Sequence, residues 1–420
     1  MASPEVTSAL ATIDATSNQQ TKSQLYNELL SSIISSSSPS TLAHNLIAFL
    51  GSILGDGVSI IASRPLLDAF IDALRNLPAP AKIEVGQHAI QALQSRSTSV
   101  EEQDAVIRET LADAFEAEEE YVAAAKVLQG IHLDSSQRLI SDDAKVRMWI
   151  RIVRLYLEED DPTSAEGFLN KIKNLPTKVQ DPELKLHFQL SQARILDARR
   201  RFLDASQEYL NVSLATGVEE DDRLQALAAA IRCAVLAPAG PQRSRMLSRL
   251  YKDDRSSSLE EYAILEKIFR DQLLTPEEVK SFSTKLAPHQ VAKTADGSTV
   301  VDKAVIEHNL LAASRLYENI RVENLASILG LTASGGMGAA EKAEIYAARM
   351  LEQGRLQGTI DQIDGVIFFD SIDGIGSMDI EGRSLKSWDA GVQRLTDEVE
   401  KVATSIMDEF PDFAIAQKVQ

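Results

Sequence analysis

The sequence predicts an all-α protein: helical repeats, then a small domain of helices with one β-hairpin, then a final amphipathic helix. Ala and Leu are abundant while only 5% of the 420 residues are aromatic, which favours close-packed helices over a sandwich or barrel. Three segments align at spacings of 41 and then 40 residues. Near the C-terminus, apolar residues recur at heptad spacing.

Composition excludes several function classes. The formal net charge of -19 disfavours non-specific attraction to nucleic acid or to an anionic membrane. Cys233 is the single cysteine, so an internal disulfide and a cysteine-based zinc cluster are excluded. The first 21 residues contain neither Lys nor Arg and have no continuous apolar run, so a secretory signal is not expected. We expect a cytoplasmic and nuclear protein without contacts to nucleic acid or membrane.

The N-terminal part, residues 1–198, is predicted to consist of helical repeats. A Ser-rich stretch from Leu29 to Thr41 is expected to be a flexible loop between two helices, because Ser and Pro compete with helical hydrogen bonds. The repeats that follow begin at Leu111, Ile152 and Gln192 when the segments are aligned. The equivalent positions are Tyr121, Pro162 and Phe202, then Ala124, Ala165 and Ala205, then Leu128, Leu169 and Tyr209, then Ile131, Ile172 and Val212. A helix, a charged turn and a second helix with a small residue at the crossing are typical of a tetratricopeptide-like solenoid.

Further helices are predicted up to about residue 320. Thr275 is expected to cap one of them, with Pro276 at its first position. A longer helix is expected to end at Ile320, with Leu316 among its core residues. Together with the residues from 199 onward, these helices form the helical part of a second domain, which we expect to extend to residue 370.

The order of elements in residues 321–370 is that of a winged helix. Two short helical segments, RVENLASILGL and AEKAEIYAARMLEQG, precede GRLQGTIDQIDGVIFFD, which reads as two strands around a turn at Asp364-Gly365. Leu356, Ile360, Val366 and Phe368 are expected to pack the hairpin on the helices. The would-be recognition helix carries as many Glu as basic residues, so binding to a DNA backbone is not favoured.

The C-terminal part combines a predicted flexible linker, residues 371–384, with a helix over 385–410. We call the apolar residues of this helix the seam: Leu385, Trp388, Val392, Leu395, Val399, Val402 and Ile406. Burial of each seam side chain stabilises by about 1.5 to 3 kcal/mol, so the helix needs a surface to pack on. Folding back on its own winged helix is one alternative; packing with helices of other chains is the interpretation that we favour.

Residues that could carry chemistry are sparse. The six histidines, His44, His88, His132, His187, His289 and His308, have none of the spacings of a metalloenzyme. Cys233 has no histidine in its own repeat and is interpreted as a core residue. The Gly-rich residues 333–340 lack the lysine spacing of a phosphate loop and are interpreted as a connector. We therefore predict no catalytic residue, metal or cofactor.

Several strings in the chain resemble a known family. VRLYLEEDDPTSAE, APAGPQRSRMLSRLYKDDR, PHQVAKTADGSTVVDKAVIEHNLLAASRLYENI and GRLQGTIDQIDGVIFF are similar to the PCI-domain scaffold proteins, above all those of the COP9 signalosome. The resemblance spans about residues 20 to 410. A subunit of the proteasome lid or of a translation initiation factor complex is the alternative within this family.

The resemblance implies a non-catalytic scaffold subunit. In this family the winged helices of PCI domains line up edge to edge, and the C-terminal helices gather into a bundle that includes two MPN subunits. The signalosome removes the ubiquitin-like protein Nedd8 from cullins of cullin-RING ligases, and the helical repeats are expected to contact the neddylated cullin and its RING partner. An exposed strand edge invites pairing with a neighbour. We expect Thr359, Asp361, Val366 and Phe368 to shape that interface, with the seam residues in the bundle.

Overall fold

The computed structural model describes residues 2–16, 18–36, 39–55, 58–94, 99–134, 140–175, 181–293, 298–333 and 337–370, together with 392, 395, 396, 398–406 and 410. These residues are mainly helical, as predicted. The chain divides into two compact units, Met1–Asn309 and Leu310–Gln420. The predicted domain limits at 198 and 320 stay predictions.

Within the described residues, five helices precede the repeats: α1 (Pro4–Asp14), α2 (Gln19–Ser36), α3 (Pro39–Ile53), α4 (Ile60–Arg75) and α5 (Ala79–Leu93). The expected loop over the Ser-rich stretch is wrong, because α2 continues through Ser36. Leu30 and Ile33 are buried in the first core, and the Ser31 hydroxyl donates to the Asn27 carbonyl one turn earlier. Burial of the apolar face thus outweighs the low helix propensity of serine.

The three predicted repeats are helical hairpins: α6 (Glu101–Ala117) with α7 (Tyr121–Gln129), α8 (Asp142–Glu158) with α9 (Pro162–Lys173), and α10 (Pro182–Ala198) with α11 (Phe202–Ser213). The aligned residues Tyr121, Pro162 and Phe202 are each the first residue of the second helix. All the other aligned positions are buried, and the alanines at the crossings are fully buried. The alignment is therefore confirmed at the level of single residues.

The turn between the two helices of each hairpin has the same backbone geometry. Glu119, Asp160 and Arg200, two residues before the second helix, have φ of 61°, 55° and 60°. The next amide donates to a carbonyl five residues earlier, from Glu120 to Phe115 at 2.9 Å in the first hairpin, and the other two hairpins repeat this bond. This is the helix-ending motif that usually places glycine at the left-handed position.

The hydrophobic core passes from one hairpin to the next. Helix α6 contributes Ile107 to the N-terminal core and Ala105 to the core of the first two hairpins. Helix α10 likewise contributes Ile195 to the second core and Ala193 to the third. Each repeat therefore completes the burial of its neighbour, as in a solenoid.

The first unit continues with α12 (Glu220–Leu236), α13 (Pro241–Tyr251), a 3-10 helix (Asp254–Ser258), α14 (Tyr262–Phe269), α15 (Pro276–Ser283) and α16 (Pro288–Val291), and α17 (Val300–Leu316) spans the division between the units. Helix α15 has the predicted start, with Thr275 at the cap and Pro276 first. Leu316, expected in the core, is exposed.

The second unit contains β1 (Asn319–Arg321), α18 (Val322–Ile328), α19 (Ala339–Glu352), β2 (Gly358–Asp361) and β3 (Val366–Phe369). The predicted hairpin is confirmed, but the sheet has three antiparallel strands in the order β1-β3-β2. Ile320 lies in β1, so the helix expected to reach it is too long. Ile367 and Phe369 are buried while Phe368 is 45% exposed, so the expected packing of Phe368 on the helices is wrong by one residue.

At the C-terminus, the described residues 392, 395, 396 and 398–406 are helical. Their helical state agrees with the predicted final helix. The predicted linker 371–384 and the seam residues Leu385 and Trp388 lie outside the described residues.

Candidate interaction surfaces

Strands β1 and β2 are the two edges of the sheet, and the predicted interface residues Thr359 and Asp361 lie on β2. Strand β3 is central, and its successive residues form hydrogen bonds to alternate neighbours. The Phe369 amide donates to the Glu318 carbonyl, next to β1, at 2.8 Å, and the Asp370 amide donates to the Gln357 carbonyl, next to β2, at 3.1 Å. With the register Thr359 opposite Phe368, the backbone groups of Thr359 face β3. Those of Gly358 and Ile360 therefore point to the open side. Among the described residues, the backbone groups of Gly358 and Ile360 on the β2 edge have no hydrogen-bond partner.

The four residues predicted for the winged-helix edge occupy two different positions. Val366 and Phe368 lie on the central strand, so their backbone groups are not at an edge, and this part of the prediction is corrected. Thr359 and Asp361 are on β2, but their backbone groups are paired to β3. Thr359 and Phe368 are exposed neighbours across the strands, so both can still contribute side chains to an interface.

The Asp361 side chain stabilises the hairpin loop. Its Oδ1 accepts hydrogen bonds from the amides of Ile363 at 2.9 Å and Asp364 at 3.2 Å, which holds the hairpin loop. Gly365 closes the loop with φ of 61°. The loop therefore has four residues, 362–365, rather than the two-residue Asp364-Gly365 turn that was predicted.

A groove between α19 and the hairpin lies next to the β2 edge. It has a volume of about 530 Å³ and is lined by Glu344, Ala348, Ile360, Ile363 and Phe368, among others. Ile363, at the tip of the hairpin, is almost fully exposed. Ile363 and Glu344 could not be predicted from the sequence, because their place beside Phe368 depends on how the hairpin lies on α19. Apolar side chains beside unpaired backbone groups make this surface suited to a protein neighbour.

The described part of the seam is exposed. Val392, Leu395, Val399, Val402 and Ile406 are between 41% and 63% exposed, and Phe410 is exposed as well. A continuous apolar stripe on one helix is typical of an interface that is completed by another helix. The described residues thus show the seam as an open apolar face.

The helical repeats carry a large cavity lined in part by charged side chains. Its volume is about 760 Å³, and its lining includes Arg147, Arg151 and Arg154 of α8. Arg151 Nε donates to Glu116 Oε1 of the preceding hairpin at 2.8 Å. Arg154 is exposed and has no hydrogen-bond or ion-pair partner among the described residues. This cavity offers both charge signs to a partner protein.

The described residues bring together no group of three or more His, Cys, Asp or Glu side chains that could hold a metal ion. Cys233 is fully buried, and burial raises the pKa of its thiol. A buried, protonated thiol is a poor nucleophile. Among the described helices, none is both long and apolar enough to span a membrane.

Comparison with known families gives two consecutive matches. Residues 5–221 match the family described as PSMD12/CSN4, N-terminal, and residues 265–371 match the PCI domain. A protein from Emericella nidulans named COP9 signalosome complex subunit 4 is 66% identical, over 97% of this chain and 99% of its own length. The chain belongs to the COP9 signalosome subunit 4 family. Subunit 4 proteins from Arabidopsis thaliana, 41% identical over 92% of this chain and 94% of theirs, and Dictyostelium discoideum, 37% identical over 96% of both, are also similar.

Membership in the subunit 4 family agrees with the positions of the surfaces. The PCI match ends at residue 371, immediately after β3, so it includes the whole sheet with its β2 edge. The PSMD12/CSN4 match includes all three hairpins. The seam lies beyond both matches.

Proposed function

We propose that this chain is a non-catalytic scaffold subunit of a COP9 signalosome, which removes Nedd8 from the cullins of cullin-RING ubiquitin ligases. The observation that carries the proposal is the open seam, in a chain whose relatives are named as subunits of that complex. A scaffold needs interaction surfaces more than it needs a pocket for chemistry.

The C-terminal helix is the first assembly surface. We assign the seam to a bundle with the C-terminal helices of other signalosome PCI subunits and of the two MPN subunits. Five described seam residues on one face of a helix support this assignment. Burying them in a bundle removes a large apolar area from water.

The winged helix is the second assembly surface. The unpaired backbone of Gly358 and Ile360 can accept a neighbour's strand or side chains, while Phe368, Thr359 and Ile363 supply side-chain contacts next to it. A neighbouring PCI subunit is the partner that we propose for this edge.

In this proposal the helical repeats contact the substrate of the complex. Their large cavity, with Arg154 unpaired among the described residues and several carboxylates nearby, supports a contact with a charged protein surface. We propose the neddylated cullin and its RING protein as the partners, with the complex present in cytoplasm and nucleus. Cell fractionation and pull-down would check location and partners together, and would separate the signalosome from the proteasome lid.

The isopeptidase chemistry is assigned to another subunit. The exposed surfaces described above carry no arrangement of nucleophile, base and metal ligands. Purified chain is expected to leave a Nedd8-cullin conjugate intact; cleavage by the chain alone, at a rate that follows its concentration, would contradict the proposal.

A double substitution on the seam tests the assembly role. Leu395→Asp with Val399→Asp places two carboxylates on the apolar face, so the variant is expected to leave the complex and elute at the size of the free chain. The measurement is size-exclusion chromatography of tagged protein from cells, with circular dichroism to verify that the repeats remain folded.

The matched control lies on the opposite face of the same helix. Lys401→Gln with Thr404→Asp changes the net charge by the same two units without touching the seam, so co-elution with the complex should persist. Release by both variants would show a charge effect rather than a seam effect, and retention of the seam variant would refute the role of the seam.

A further inference from the structure

A second large cavity lies in the first unit, apart from the surfaces assigned above. It has a volume of about 640 Å³, within the range of small-molecule sites. Its walls come from the ends of α8 and α10, from α11 and α12, and from residues 284–290. Polar and charged side chains of four different elements meet there.

Tyr209 of α11 is a buried polar ligand candidate in this cavity. The residue is 7% exposed, and its hydroxyl has no hydrogen-bond partner among the described residues. Burial, and then the charge of Asp197, raise the pKa of the Tyr209 hydroxyl, while Arg194 and Arg232 oppose the shift. These three charged residues line the same cavity. The hydroxyl therefore remains protonated and can donate a hydrogen bond to a ligand.

His289 provides a second polar group in the cavity wall. Its Nε2 is buried and lies 3.1 Å from Asp197 Oδ1, but outside hydrogen-bond geometry. Asp197 already accepts from Gln290 Nε2, at 2.8 Å and 2.9 Å to its two oxygens. Buried polar atoms are normally hydrogen-bonded, so an acceptor placed in the cavity beside Nε2 would complete its hydrogen bonding, with Asp197 at ion-pair distance.

Cationic donors of three side chains lie beside these two groups. Arg194, Arg232 and Lys285 line the cavity, and its carboxylates are Asp160 and Asp197. Each cation has one glutamate partner: Arg194 with Glu158 at 2.9 Å, Arg232 with Glu261 at 2.7 Å, and Lys285 with Glu260 at 2.7 Å. A guanidinium has five donors and an ammonium three, so these pairs leave donors for a ligand.

We propose that this cavity binds a ligand through a carboxylate or phosphate oxyanion, which accepts hydrogen bonds from Tyr209, His289 and the guanidinium of Arg232. The walls formed by Leu157, Leu286 and Pro288 contact the remainder of the ligand. The oxyanion belongs either to a free small molecule or to an acidic side chain of a peptide, and both sources share the same chemistry. This site does not depend on the assembly role of the chain.

Calorimetric titration of the full-length chain tests the proposal. The probes are citrate, pyrophosphate and a blocked hexapeptide of alternating Asp and Gly, each titrated at constant ionic strength. At least one probe should show saturable binding with a Kd below about 1 mM. Tyr209→Phe keeps the ring and removes the hydroxyl, so it should weaken that binding about tenfold or more.

Two further variants complete the design. Tyr251→Phe, the same change in a tyrosine that stacks on Phe269 away from the cavity, should leave binding unchanged. Lys285→Ala removes a cation that lines the cavity and should also weaken binding; the glutamate partner of Lys285 is mostly exposed. This variant replaces Tyr209→Phe if Tyr209→Phe does not fold.

Each outcome has a definite meaning. Binding of citrate or pyrophosphate that Tyr209→Phe weakens supports a small-molecule ligand, and binding of the peptide alone supports an acidic protein segment. Saturable binding that is the same in Tyr209→Phe, Lys285→Ala and Tyr251→Phe would overturn the site. Lack of saturable binding by all three probes would overturn it as well.

Discussion

The three helical hairpins and the C-terminal helix have equally regular apolar patterns and opposite burial. In the hairpins the aligned alanines Ala124, Ala165 and Ala205 are fully buried, and the aligned residues that follow them in each second helix are buried as well. In the C-terminal helix, Leu395 is 63% exposed and Val399 is 61% exposed. The same spacing of apolar residues thus describes a closed core in one region and an open face in the other.

The periodicity of apolar residues therefore predicts which face of a helix is apolar. It does not predict what covers that face. A hairpin repeat is covered by the next repeat along the chain, so α6 and α10 each contribute to two successive cores. Among the described residues, no following repeat covers the seam helix. An apolar face that the chain itself does not cover is a candidate for assembly.

The largest expected effect comes from a pair of identical substitutions in the two regions. Leu169→Ala removes a buried side chain from the second hairpin and should lower the free energy of unfolding by about 2 to 5 kcal/mol. Leu395→Ala removes an exposed side chain, so in the isolated chain it should change that free energy by at most about 0.5 kcal/mol. Urea denaturation followed by circular dichroism measures both.

The result for Leu395→Ala can also contradict the assignment of the seam as an open face. A loss of several kcal/mol for Leu395→Ala in the isolated chain would mean that the seam is covered by its own chain. The seam would then belong to the core, and the assembly role proposed for it would lose its support.

The repeats could be predicted in detail because their signals are local and occur three times. The first residue of each second helix, the alanine at each crossing and the buried positions after it follow from aligning the segments. The predicted cap at Thr275 is equally local. Local signals survive folding because tertiary packing agrees with them.

The sheet could be predicted only in part, because its details depend on distant pairing. Strand β1 has three residues and exists through its pairing with β3, more than 40 residues later, so nothing in Asn319–Arg321 alone indicates a strand. The run VIFF at 366–369 is apolar throughout, and a continuous apolar run does not reveal which residues face inward. This is why Phe368 was assigned to the wrong face.

The candidate surfaces show the same limit. The seam positions are readable from heptad spacing, whereas the residues at a sheet edge require the strand order. With β3 central, the edges are β1 and β2, and the open backbone groups on β2 belong to Gly358 and Ile360, which were not among the four residues predicted for the edge.

An intermediate effect on the free energy of unfolding is expected at the second hairpin turn, whose second helix has an N-terminal side-chain cap that the first hairpin lacks. Asp161 Oδ1 accepts from the amides of Thr163 and Ser164, both at 3.1 Å, at the start of α9. The equivalent Glu120 before α7 makes no such bond. Asp161→Ala should cost about 1 kcal/mol of unfolding free energy at neutral pH, and Glu120→Ala clearly less.

The cap contribution should depend on pH. Hydrogen bonds from the Ser164 side chain and from the backbone lower the pKa of Asp161 in the folded state. A lowered folded pKa adds stability above the ordinary carboxyl pKa, and this stability is lost as the pH falls through the folded value. The difference between wild type and Asp161→Ala should therefore shrink below about pH 4, whereas Asp161→Asn should show no such titration. A difference that stays constant from pH 7 to pH 3 would show that the carboxylate is not the cap.

The smallest expected effect concerns the left-handed residue of the first hairpin turn. Glu119 has φ of 61°, a conformation that costs a side chain about 1 to 2 kcal/mol, while glycine loses about 0.5 to 1 kcal/mol more chain entropy on folding. Glu119→Gly should therefore raise the unfolding free energy by up to about 1 kcal/mol. Its neighbour Glu118 has φ of -94°, so Glu118→Gly gains no relief and should lower the unfolding free energy by a similar amount. Opposite shifts of the urea midpoint for the two variants would show that packing of the two helices holds this turn in place. The exposed seam helix lacks such packing. Equal destabilisation by both variants would contradict that conclusion.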